Sequence, residues 1–189
     1  MKRQVRRLEQ TPKPSQPRSI VLIGMMGAGK SSVGRFLQKR TSLALFDTDK
    51  MVESQFEISI SEIFSRYGEE RFREAESAAL RGLAGAQQGI IVAGGGAVLR
   101  DENIDLLKER GIVVWLEANE DTLFERASRR GSRPLLKTED PKEAFSRMLQ
   151  ARRPIYAKVA DIRVDTSALT HEEVADAILI KMEELAPRQ

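Results

Sequence analysis

The sequence predicts an α/β protein built on a parallel sheet with helices on both faces. Five short apolar runs, at residues 20–23, 43–46, 90–93, 112–116 and 161–164, alternate with amphipathic stretches. Strands that alternate with helices in this way pack as a parallel sheet. A glycine-rich stretch, Gly24-Met25-Met26-Gly27-Ala28-Gly29-Lys30-Ser31, joins the first run to a helical pattern over 32–40. This is the G-x-x-x-x-G-K-[ST] phosphate-binding loop in the strand–loop–helix context that gives it meaning. Two further motifs, Asp47-Thr48-Asp49 and Gly94-Gly95-Gly96, follow the second and third runs directly. Ligands of such sheets gather at the carboxyl ends of the strands, so the three motifs are expected to line one crevice.

Taken in order, each element has a local reason. Residues 1–18 carry Lys2, Arg3, Arg6, Arg7, Lys13 and Arg18 against Glu9, with Pro12, Pro14 and Pro17 interspersed. That composition reads as a disordered basic tail without the apolar core of a secretory signal. After the phosphate loop, the run at 43–46 reads as a strand that continues into an extended Asp47-Thr48-Asp49, which would put both carboxylates on one side. Ser59-Ile60-Ser61-Glu62 fits a capping box, so a helix is expected near Ser59, with another near Glu69. The third run ends in three glycines, more than one turn needs, which permits close approach of backbone to a ligand. Helices are expected near Asp101 and Asn119, with Gly111 and Gly131 where helix C-terminal glycines belong. The basic stretch Arg126, Arg129, Arg130, Arg133 leads into Pro134-Leu135-Leu136, a segment suited to a lid. A helix near Pro141 carries Arg152, and Thr170-His171-Glu172-Glu173 fits a second capping box, which makes His171 a helix-start residue.

Composition excludes several function classes. The 189 residues fit one domain, and 41% hydrophobic with 31% charged residues is the balance of a soluble globular chain. No apolar run approaches the roughly 18 residues of a membrane span, so no membrane partner is expected. Cysteine is absent and His171 is the single histidine, which removes disulfides, thiolate metal sites and multi-histidine zinc sites. The lack of cysteine is compatible with a reducing cytoplasm. The net charge of +3 misleads: the first 18 residues hold a net +5, so the remainder carries −2 and is not a nucleic-acid-binding surface by charge.

The loop glycines allow backbone N–H groups to turn onto phosphate oxygens, Lys30 can reach the outer phosphates, and the Ser31 hydroxyl can hold Mg²⁺. Gly27, Ala28, Gly29, Lys30, Ser31 and Ser32 are therefore the candidate ATP-phosphate contacts. Of two carboxylates beside such a site, one can organise Mg²⁺ and the other can orient a hydroxyl and accept its proton.

In their order along the chain these pieces resemble the shikimate kinase family. The resemblance runs through the phosphate loop, Phe46-Asp47-Thr48-Asp49, Ile60-Ser61-Glu62-Ile63-Phe64, Gly68-Glu69-Glu70-Arg71-Phe72-Arg73 and Gly94-Gly95-Gly96-Ala97-Val98. It continues through Arg133-Pro134-Leu135-Leu136, Arg152-Arg153-Pro154-Ile155-Tyr156 and Arg163-Val164-Asp165-Thr166. The resemblance implies a P-loop nucleoside-monophosphate-kinase-like fold with a five-stranded parallel sheet flanked by helices. It places the domain at 19–187, a substrate-binding subdomain at about 47–76 and a lid at about 126–140. It implies transfer of the γ-phosphoryl group of ATP to the 3-hydroxyl of shikimate, a step toward chorismate and the aromatic amino acids, in a cytoplasmic monomer that uses Mg²⁺. On this resemblance Asp49 orients the hydroxyl and serves as base, with Lys30 and Arg133 as its catalytic partners. Asp47 holds Mg²⁺ through water beside Ser31. Arg73 and Arg152 grip the shikimate carboxylate, Gly95 contacts the hydroxyl side of the ring, Glu76 anchors Arg73, and Phe64 and Phe72 wall the pocket. Arg133 reaches the ATP phosphates from the lid, and Arg126 flanks adenine. The chain departs from the family at Ser167-Ala168-Leu169-Thr170-His171, which lacks the proline some members place there, so the adenine contacts stay open.

Two other readings use the same residues. A gluconate kinase would share the architecture, but two carboxylate-gripping arginines favour shikimate. A non-catalytic ligand sensor with a basic N-terminus would fit a transcription regulator. Eighteen residues are too few for a DNA-binding domain, however, and Lys30, Asp49 and Arg133 are all in place.

Overall fold

The computed structural model describes residues 19–129 and 133–185. The basic tail, Gly131, the middle of the expected lid at 130–132 and the last residues of the expected domain at 186–187 lie outside the described residues. Five strands, β1 (Ser19–Ile23), β2 (Ala44–Asp47), β3 (Gly89–Val92), β4 (Gly111–Glu117) and β5 (Ile162–Asp165), form one parallel sheet in the order β2-β3-β1-β4-β5. Strand β1 is central and buried at every residue, which is why it reads as an unbroken apolar run rather than an alternating one. Leu22 aligns with Val92, and Val92 with Asp47, so β1, β3 and β2 deliver their following loops at one level.

Among the described residues, seven α-helices surround the sheet: α1 (Lys30–Thr41), α2 (Thr48–Phe56), α3 (Ile60–Gly82), α4 (Asp101–Arg110), α5 (Glu120–Ser128), α6 (Pro141–Val159) and α7 (His171–Leu185). Both expected capping boxes form. Ser59 Oγ accepts from the Glu62 amide while the Glu62 carboxylate accepts from the Ser59 amide at 3.1 Å. Thr170 and Glu173 repeat the exchange at the start of α7. Asn119 and Asp140 cap α5 and α6 through their side-chain oxygens.

One expectation is corrected. Asp47-Thr48-Asp49 is not extended: β2 ends at Asp47, whose side chain caps α2 by accepting from the Lys50 amide, and Asp49 lies in the first helical turn. The aspartate that reads as a strand-end acid is also one of the strongest N-cap residues, and the cap starts the helix at once. The helices expected near Ser59 and Glu69 both form, as the two halves of α3 on either side of a kink at Gly68 (φ 81°, ψ 171°).

The main core lies between the sheet and its covering helices, with Ile20, Leu22, Ile90, Leu116 and Phe145 fully buried. A second apolar cluster of Val52, Ile63, Phe72 and Ala75, flanked by Phe56, Ile58, Ile60 and Phe64, holds α2 against α3. Gly68 stands between the halves of α3 with nothing within 4 Å of where a Cβ would sit. A side chain there meets no neighbour, and only the backbone conformation resists it. We therefore expect Gly68→Ala to cost about 1–3 kcal/mol of stability, read as a lower urea midpoint with an unchanged slope.

Candidate active site

The site is built from the loops that leave β1, β2 and β3. After β1 the chain turns through Gly24–Gly29 and enters α1, whose N-cap residue Gly29 offers no side-chain cap. The helix N-terminus is thereby left open to an anion. Met25 is buried in the core and serves packing, while Met26, also largely buried, lines the crevice. Lys30 folds back over the loop, and its Nζ donates to the carbonyls of Gly24 at 2.7 Å and Met25 at 3.2 Å. Burial lowers its pKa to about 8, with Asp49 and Asp47 pulling it up and Arg133 and Arg152 pushing it down.

After β2, Asp47 accepts a hydrogen bond from Ser31 Oγ at 2.8 Å, which sets a hydroxyl and a carboxylate side by side at the phosphate loop. Asp49 points into the crevice one step further. Burial raises its pKa, the charge of Asp47 raises it again, and Lys30, Arg133 and Arg73 oppose both. Thr48 Oγ1 accepts from the Gly94 amide at 3.0 Å and ties this corner to the loop after β3.

Two of the three glycines after β3, Gly94 and Gly96, have a spatial reason. A Cβ on Gly94 would fall 2.0 Å from Glu76 Oε1 and 2.8 Å from Asp49 Oδ1. A Cβ on Gly96 would fall 2.4 Å from Arg73 Nη1, within the guanidinium that packs on it. Gly95 lies against the phosphate loop, where its Cβ would stand 3.4 Å from the Gly24 carbonyl. The glycines form the floor on which the charged side chains rest.

Those side chains include two buried arginines. Arg73 on α3 is 7% exposed and pairs through Nη1 with the fully buried Glu76 at 2.9 Å and through Nη2 with Glu69 at 2.9 Å. Burial disfavours the charge on Arg73, and the two glutamates more than restore it. Burial also raises the pKa of Glu76, against the pull of Arg73. Arg152 on α6 is 5% exposed and sets Nη1 3.9 Å from Met25 Sδ. The two guanidiniums face a cavity of about 280 Å³ whose walls include Phe64 and Phe72, rings 5.0 Å apart. Two fixed guanidiniums can hold a carboxylate with paired hydrogen bonds.

A second cavity of about 490 Å³ adjoins the first, with Met26, Ser31, Asp49, Gly95 and Arg133 common to both. Gly27, Gly29, Lys30, Ser32 and Arg126 line the second, while Asp47, Arg73, Glu76, Phe64, Phe72 and Arg152 line the first. Ala28 lines neither: its side chain is buried and its amide donates to the Met25 carbonyl. Arg126 also donates to Thr166 and Ser167, which fixes it against the loop after β5. Sequence reasoning missed two groups. Glu53, Ser59 and Ser61 reach the first cavity because α2 and α3 fold over it, a packing that no local motif announces. His171 lines the second, its ring 3.0 Å from where a Cβ on Gly29 would sit. Its place directly after the Thr170 cap was the available signal.

Comparison with known proteins agrees with this geometry. The sequence profile of the family described as shikimate kinase matches residues 26–183. A shikimate kinase of Thermodesulfovibrio yellowstonii is 43% identical over 169 residues, which cover 89% of this chain and 97% of the relative. Among solved structures, a shikimate kinase from Acinetobacter baumannii in complex with shikimate superposes with a TM-score of 0.88 at 32% identity, covering 92% of this chain and 97% of that one. A gluconokinase from Sinorhizobium meliloti reaches a TM-score of 0.59 at 23% identity, covering 90% and 94%, a likeness of fold alone.

The depressed pKa of Lys30 sets a pH dependence that needs no ligand. The group titrates near 8 in the folded protein against 10.5 in its ordinary state, so between these values the unfolded chain binds more protons and stability rises with pH. Relative to Lys30→Met, the wild type should therefore gain unfolding free energy as pH rises from about 8 toward 10, as measured by urea titration at each pH. A gap that stays constant across that range would mean that Lys30 is not depressed.

Proposed function

The chain belongs to the shikimate kinase family, and we propose that its two adjoining cavities bring shikimate and ATP together for transfer of the γ-phosphoryl group to the 3-hydroxyl of shikimate. One observation carries this reading. Two buried arginines and a crevice carboxylate share a small cavity that opens directly onto a phosphate-binding loop.

In this reading the second cavity takes ATP. The open N-terminus of α1 and the loop amides around Gly27 and Gly29 receive the phosphates, Lys30 swings from its carbonyl contacts onto the outer phosphates, and Arg126 and Arg133 approach from the far wall. The first cavity takes shikimate. Arg73 and Arg152 hold its carboxylate, Phe64 and Phe72 wall its ring, and Gly95 approaches its hydroxyl side. Arg73 is held in place by Glu76 and by Glu69, each at 2.9 Å, which together fix the direction of its guanidinium. Asp49, common to both cavities, accepts the proton of the attacking hydroxyl. Its raised pKa makes it a better acceptor than a solvated aspartate, and Lys30 and Arg133 oppose that rise. Phosphoryl transfer depends on positioning and on positive charge around the transferring group, and Lys30 and Arg133 supply that charge from either side.

Magnesium fits the same corner. Ser31 Oγ and Asp47 Oδ2 are hard oxygen donors 2.8 Å apart beside the phosphate loop, the sparse protein contribution that suits an ion sharing its shell with phosphates and water. Bound there, Mg²⁺ would neutralise phosphate charge. We assign the segment 47–76, with its own apolar cluster, as the substrate-binding subdomain, and the stretch 126–140 around Arg133 as the lid.

The test is ADP release from MgATP with and without shikimate, with gluconate and quinate as controls. Release should require shikimate and vanish in Lys30→Ala. Release driven by gluconate would overturn the pocket assignment, and shikimate binding without release would indicate a sensor. A second expectation concerns the glycine floor. Gly96→Ala pushes a methyl into the Arg73 guanidinium, so the KM for shikimate should rise by about tenfold or more while the KM for MgATP changes little.

A further inference from the structure

Tyr156 is fully buried on α6 and lies outside both cavities, one helical turn after Arg152 and on the same face. Its ring stacks on Trp115 with centroids 6.0 Å apart and planes inclined by 29°. Its hydroxyl donates to the carbonyl of Gly95 at 2.5 Å. That carbonyl belongs to Gly95–Gly96, one of the two glycine–glycine peptides after β3, and both of its glycines line the first cavity. We propose that Tyr156 is a positioning residue for the phosphate acceptor: its buried hydroxyl fixes the Gly95–Gly96 peptide so that the backbone N–H beyond it is presented to the substrate cavity.

A peptide between two glycines has no side chain to resist rotation, and its alternative orientations cost little. Something outside it must select one. The peptide is trans, so its N–H points away from its carbonyl. With the Gly95 carbonyl turned toward α6, the Gly96 N–H is turned the other way, toward the cavity that Tyr156 does not touch. The preceding peptide is fixed too, because the Gly94 carbonyl accepts from the Ala97 amide at 3.1 Å. The orientation also matters to Arg152, whose Nη1 stands 3.8 Å from where a Cβ on Gly95 would sit. A flipped peptide would set its carbonyl into a cavity built for an anion with several hydroxyls. Burial pushes the Tyr156 hydroxyl up to about 12, so it remains a proton donor across the working pH range.

This inference rests on the shikimate reading of the first cavity. The test is Tyr156→Phe, which keeps the ring on Trp115 and removes only the donor. The KM for shikimate, and its Kd by calorimetry, should rise about tenfold. The KM for MgATP should stay within about twofold and kcat should fall by less than the affinity does. A purely structural role would give the opposite split: a lower thermal midpoint and fewer active molecules, with an unchanged shikimate KM. A shikimate KM and Kd within about twofold of wild type overturn the proposal. Should Tyr156→Phe fail to accumulate folded, a fluorinated tyrosine placed at 156 retains shape and hydroxyl while changing donor strength. An altered shikimate Kd then supports the proposal and an unaltered one overturns it. A wild type that releases ADP with shikimate beside an unaffected variant removes this inference alone. A wild type that neither binds nor phosphorylates shikimate removes the functional reading, and this inference with it.

Discussion

Three parallel strands end at one level, and the rest of the site depends on that registry. Leu22 of β1, Val92 of β3 and Asp47 of β2 stand abreast, so the phosphate loop, the capped start of α2 and the three glycines emerge side by side. A slip of one residue between β2 and β3 would turn Asp47 to the other face of the sheet. It would also break the contact between Thr48 and the Gly94 amide. The buried apolar run of β1 fixes this alignment from the centre. The chemistry at the edge is held by packing several residues away from it.

The second theme is charge kept out of water. Arg73, Glu76 and Arg152 are buried, and Lys30 and Asp49 are shifted in the directions that burial dictates. Such groups stabilise a fold poorly, since desolvation takes back most of what pairing gives. Their arrangement makes sense as preparation for a ligand that brings opposite charge. Phosphates would bring that charge to Lys30, and a carboxylate would bring it to the two guanidiniums. The site is held with that charge imbalance already built in.

Much of this was legible in the sequence. The phosphate loop, the five strands and both capping boxes follow from local patterns, because each is decided within a few residues. The ordered motifs named the arginines and Asp49. What was not legible depends on packing. Asp47 reads equally as a strand-end acid and as a helix cap, and only the fold of the next nine residues decides. Gly68 reads as a boundary between two helices, and its left-handed φ of 81° does break the helical path there. The need for Gly94 and Gly96 became clear only with Glu76 and Arg73 resting on them. Tyr156 carries no signal of its own, since a tyrosine on an amphipathic helix is ordinarily core. Its hydroxyl matters because of a carbonyl 61 residues away in the chain.

The stack of Trp115 on Tyr156 has an optical consequence. Trp115 is the single tryptophan of the chain, with the Arg163 guanidinium 5.0 Å from its ring centre on one side and Tyr156 on the other. All indole emission therefore originates at one point, one side chain removed from the glycine floor of the active site. A change in that floor alters the surroundings of this fluorophore before it alters those of any exposed group. The enzyme carries an intrinsic reporter behind the floor of its site, with no label to attach and no background indole to subtract.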